Sequence, residues 1–130
     1  NATGMFNNCQ CLREVGDLTF NANCLTGSIF TYCASLVKIG AVSFGYQTSD
    51  EFNFLSSRIE YAALADLSSV TAFPNSSFGL KNSYLTAAAL NAVYTALPSV
   101  SGKTIWVTGN PGVTGDDPSI ATAKGWTVTS

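Results

Sequence analysis

The feature that most constrains this chain is a self-similarity with a period of 24 residues. Met5, Phe6, Cys9, Leu12, Val15, Leu18 and Phe20 recur one period later as Ile29, Phe30, Cys33, Leu36, Ile39, Val42 and Phe44, and Gly16 recurs as Gly40. Apolar positions three apart in so short a unit fit neither a long helix nor an alternating strand. They fit a coil of short strand, turn and irregular segments, with parallel strands of adjacent coils about 4.8 Å apart. One such coil cannot bury its own apolar face, so its neighbours must supply the core. A degenerate third copy keeps Phe54 in phase and puts Ser57 at the cysteine position. After a one-residue deletion, Ile59, Ala62 and Ala65 fall on core positions and Leu67 on that of the second phenylalanine. A column of Phe6, Phe30 and Phe54 is the sharpest expectation of this winding.

The second half has a different grammar. Leu85 to Leu97 reads as a helix, capped by the Thr86 hydroxyl and closed by Pro98. Leu85 and Leu90 form its hydrophobic staple, and Leu90, Val93, Tyr94 and Leu97 form one apolar stripe. A second, shorter helix is signalled by Asp117 as cap, Pro118 as first residue and Gly125 as stop. Strands are predicted over 104–108 and 126–129. The expected organisation is one domain over 1–130, with repeats over 5–67 and further coils and a cap over 68–130. An array of this kind needs an end that does not stick to its neighbours, and the final segment is expected to be that cap and the natural C-terminus. The first residue is Asn rather than Met, so the chain reads as processed or as a fragment.

The pattern M-F-x-x-C-x-x-L-x-x-V-x-x-L-x-F-N, carried by Met5 to Asn21 and repeated from Ile29, resembles the leucine-rich-like repeats of bacterial surface antigens, especially mycoplasma surface lipoproteins. The later segments Leu85-Thr86-Ala87-Ala88-Ala89-Leu90, Gly102-Lys103-Thr104-Ile105, Thr108-Gly109-Asn110-Pro111-Gly112 and Lys124-Gly125-Trp126 resemble structural proteins of tailed cyanophages. The resemblance implies an α/β fold, a right-handed leucine-rich-repeat-like solenoid of short parallel strands with a helical C-terminal cap. It also implies a place in a virion or on an extracellular surface.

Composition narrows the function classes. Only 11% of residues are charged, while Ser, Thr and Asn number 39. Hydroxyls and amides therefore wet the surface in place of ions. A net charge of −2, with only six Lys and Arg, provides no basic stripe for a phosphate backbone, which argues against nucleic acid. No apolar run reaches the roughly 18 residues of a membrane span, and no signal-peptide pattern opens the chain. There is no His, so a Ser-His-Asp triad is excluded within the chain, and the cysteine spacing does not make a zinc site. No cofactor or metal is expected. Asp116 and Asp117 lack the spacing of a calcium loop, and helix capping accounts for Asp117. Asn1-Ala2-Thr3 and Asn75-Ser76-Ser77 match the glycosylation pattern and are expected to be unmodified.

Four cysteines stand at 9, 11, 24 and 33. The repeat places Cys9 and Cys33 in neighbouring coils, either as stacked small hydrophobes or as a Cys9–Cys33 disulfide. Trp106 is the most informative contact candidate. In Thr104-Ile105-Trp106-Val107-Thr108, alternation puts Ile105 and Val107 on one face and Trp106 on the opposite, Thr-lined face. There the indole either meets a sugar ring or partner protein, or packs under a neighbouring loop or subunit. Tyr46 and Tyr61 are further contact candidates. The expectation is a non-enzymatic recognition module, like a tail-fibre domain meeting a host surface glycan or partner protein. The alternative is a structural subunit that forms homo-oligomers or joins other virion or surface proteins. A polysaccharide-degrading enzyme is a third class, disfavoured because the carboxylates form no obvious catalytic pair.

Overall fold

The computed structural model describes residues 2–21, 24, 29–43 and 64–130. Its strands are β1 (Glu14–Val15), β2 (Leu18–Thr19), β3 (Lys38–Ile39), β4 (Val42–Ser43), β5 (Val70–Ala72), β6 (Phe78–Gly79), β7 (Lys103–Trp106) and β8 (Trp126–Thr129). Two helices, α1 (Ala87–Ala96) and α2 (Ser119–Thr122), and a 3₁₀ turn over Pro111–Thr114 complete the described elements.

The first two copies lie side by side in parallel, with Glu14 opposite Lys38, Val15 opposite Ile39, Leu18 opposite Val42 and Thr19 opposite Ser43. Every one of these pairs is separated by the sequence period. The Phe6 and Phe30 rings stack at 5.5 Å with planes 3° apart. The Phe6 amide donates to the Ile29 carbonyl (3.1 Å) and the Asn8 amide to that of Thr31 (2.9 Å). Apolar stacking and backbone pairing thus act on the same register, the condition under which a short parallel pair holds. Phe54, Ser57, Ile59 and Ala62 lie outside the described residues.

The solenoid expectation is corrected by the strand order. Among the described residues the strands form three separate small parallel sheets, ordered β1-β3, β2-β4-β5 and β6-β7-β8, and do not close into a solenoid. Local chemistry explains the splits. Between β3 and β4, the Ala41 amide bonds to the Asp17 carboxylate (2.8 Å) and not to a strand partner. At that corner the backbones approach so closely that a Cβ on Gly40 would stand 2.7 Å from the Asp17 nitrogen. Between β5 and β6 lies the buried Pro74, which has no amide to give to a ladder. The third-copy phase also needs correction. Val70, not Ala65, pairs with Val42, the ladder shifts register there, and Ala65 is exposed. Leu64 and Leu67 supply the core at that level.

The C-terminal half packs around α1. The Thr86 hydroxyl accepts from the Ala89 amide (3.2 Å) at the start of α1, and the Leu97 amide closes the helix onto Val93 (3.0 Å). Leu85, Leu90, Val93, Tyr94 and Leu97 are all buried. The Lys124 ammonium meets the Thr95 and Leu97 carbonyls, the acceptors a helix end leaves unpaired. Asp117 accepts from the Ser119 amide (3.1 Å) and so opens α2, while its own amide bonds to Asn91 on α1 (2.7 Å). The helices thereby brace the sheet β6-β7-β8, whose inner face carries Phe78, Ile105 and Trp126.

Candidate binding face

Along β7 and the residue beyond it, burial alternates as the sequence predicts. Ile105 and Val107 are buried, and Trp106 between them is only partly buried, on the other side. Parallel registry sets Trp106 beside Gly79 on β6 and Thr129 on β8, and Thr104 beside Thr127. Side chains in register share a face, so Thr104, Trp106, Thr127 and Thr129 form one outward surface. Gly79 has no side chain to cover the indole from the β6 side. Lys81 fills part of that space, its ammonium 5.8 Å from the Trp106 ring centroid. A cation over an indole is attracted by the ring's negative face. None of the described carboxylates forms an ion pair with Lys81.

This surface runs on past the strand ends into a shallow groove. Pairing continues beyond β6 and β7, with the Leu80 amide donating to Trp106 (2.7 Å) and the Asn82 amide to Thr108 (2.9 Å). The groove is lined by Asn82, Ser83, Tyr84, Gly109, Asn110 and Pro111. Its floor is fixed by Asn110, which is buried and uses its whole amide. The Asn110 amide nitrogen donates to the carbonyls of Leu80 (2.8 Å) and Val107 (2.7 Å), and its oxygen accepts from the Leu85 amide (3.2 Å). Gly109 holds φ at +80°, and any Cβ there would collide with the Asn82 side-chain oxygen. Tyr84 stands at the rim, 62% exposed.

Trp106 thus takes the predicted orientation, whereas Tyr46 and Tyr61 lie outside the described residues. The structure brings Lys81, Asn82 and Tyr84 to Trp106's end of the sheet, although sequence reasoning passed over them. The available signal was the polar run Lys81-Asn82-Ser83-Tyr84, an aromatic inside a turn composition. Cys9 and Cys33 face one another across the first two copies as free thiols, with Cys33 donating to the Phe6 carbonyl (2.9 Å). Burial pushes the Cys33 thiol up, which keeps it protonated and unreactive. Asp116 is engaged by the Tyr94 hydroxyl, which donates to it at 2.6 Å. Among the described residues no group of three or more His, Cys, Asp or Glu could hold a metal ion, and no helix is long and apolar enough to cross a membrane.

No protein-family model matches this chain, and searches of curated proteins and of solved structures also return no match.

Proposed function

We propose that the chain is a non-enzymatic recognition module of a virion or extracellular surface, and that it contacts its target through the outer face of β6-β7-β8 and the adjoining groove. The observation that carries this reading is Trp106, a partly buried indole turned outward between two chain neighbours that are wholly buried. A tryptophan turned to the outer side of the strand keeps part of its ring accessible, and a flat apolar ring with one donor suits a sugar or a protein partner. The strand fixes its position, so little ordering cost remains at binding. The test is adhesion of the purified full chain to host-surface preparations, with and without Trp106→Ala. Loss of adhesion in a folded variant supports the reading. Unchanged adhesion, or none by the parent chain, rejects it.

A second reading, self-association, has its own supporting observation. Phe6, Cys9, Leu12, Val15 and Leu18 in the first copy are only partly buried, whereas their counterparts Phe30, Cys33, Leu36, Ile39 and Val42 are closed off from solvent. A second copy of the chain seated on the first layer would bury that apolar surface. Sedimentation of the purified chain separates the readings, since a monomer across the micromolar range rules out assembly through this layer.

A further inference from the structure

We infer that the groove beside Trp106 takes a carboxylated saccharide, with Lys81 as the residue that reads the acid group and Tyr84 as the platform for the sugar ring. The inference rests on the recognition reading above and gives its ligand a chemical class.

Charge is the first ground. The chain is acidic overall, at −2, yet the described residues in register on this face include no carboxylate. Its outward residues are Lys81, Thr104, Trp106, Thr108, Thr127 and Thr129. Lys81 is the charged member, and its ammonium is held over an indole instead of being paired with an acid. The ring attracts the cation without neutralising it, so the charge stays available to an incoming anion. A lysine fixed in this way has also lost part of the rotamer freedom that a carboxylate contact would otherwise cost.

The remaining groups match the rest of such a ligand. Tyr84 offers an exposed ring at the rim, and apolar C–H faces of pyranoses suit such a platform. Asn82 is exposed on the groove lining and offers the amide chemistry that sugar hydroxyls require. Asn110 and Gly109 keep the walls in place, the first through three backbone bonds and the second through its close approach to Asn82. A simple inorganic anion would use Lys81 alone and leave the ring and the amides idle. A neutral saccharide would leave the cation idle.

The experiment is calorimetric titration of the full chain with a tetramer of galacturonic acid and with its fully methyl-esterified form, which keeps the skeleton and removes the charge. The acid should bind at least about tenfold more tightly than the ester, as expected for a hydrogen bond to a charged group. Raising the salt concentration should narrow the gap. Lys81→Gln should abolish the preference, Lys81→Arg should retain it, and Tyr84→Ala should weaken both ligands. The thermal midpoint of each variant checks folding, and Lys81→Arg controls for a purely structural effect. Equal binding of acid and ester, or a preference that survives Lys81→Gln, overturns the assignment. If neither saccharide binds while Trp106→Ala still abolishes host adhesion, the ligand class is wrong and the recognition reading stands. If adhesion also ignores Trp106, both fall.

Discussion

The inner and outer faces of the C-terminal sheet share three strands and differ in nearly every side chain they present. Inside, Trp126 is 2% exposed, meets Phe78 edge-on at 5.6 Å and donates its indole N–H to the Pro98 carbonyl (2.8 Å). Outside, one strand away, Trp106 lies only partly buried under Lys81, amid threonines. The inner ring has its apolar surface and its single donor both satisfied, which is what a stability element requires. The outer ring is only partly buried and has a cation 5.8 Å from its centroid. The difference teaches that residue type alone does not assign a role, because the register that buries one tryptophan exposes the other.

This comparison breaks if inner substitutions cost little stability. Trp126→Ala should have the largest effect, about 3–5 kcal/mol in chemical denaturation, because it opens a cavity and strands the Pro98 carbonyl. Asn110→Ala should follow, at roughly 3 kcal/mol, since three buried backbone groups lose their partner at once. Asn110→Asp would show whether the loss lies in the two donated bonds, because aspartate restores only the acceptor.

A pH series sharpens the inner side further. Burial pushes the Tyr94 phenol far above its usual range, and its bond to Asp116 acts in the same direction. The folded protein therefore keeps a proton that the unfolded chain releases near pH 10, by the ordinary tyrosine value. The Tyr94 contribution is complete below that pH and declines as pH rises above it. Tyr94→Phe should cost about 1.5 kcal/mol at neutral pH and flatten the alkaline loss of stability, both read from denaturation midpoints between about pH 8 and 11. An unchanged alkaline limb would place the titration elsewhere.

Much of this division is legible in the sequence, for definite reasons. Period-two alternation around Trp106 identifies its face, because a strand leaves only two sides. The caps of α1 are local, so Thr86 and Leu97 announce them. The stack of Phe6 on Phe30 follows from a period that repeats apolar type and spacing together. Other features depend on contacts between distant residues. The Asp17 carboxylate takes the Ala41 amide and helps divide the strands into separate sheets, which no repeat pattern encodes. Val70, not Ala65, stands opposite Val42, an offset of 28 residues that the 24-residue period does not carry. Lys81 reaches Trp106 only through the pairing of β6 with β7, residues far apart along the chain. Asn110 reads as a loop residue, and only its three partners show it to be a buried strut.

The smallest stability effect belongs to the residue with the largest assigned role. Trp106→Ala, measured in one preparation for both its denaturation midpoint and its adhesion to host surface, tests that separation most directly. The expected result is a stability change within about 1 kcal/mol, in the range for sites outside the core, accompanied by loss of adhesion. Destabilisation on the scale of Trp126→Ala with adhesion intact would make Trp106 a packing residue and contradict the account.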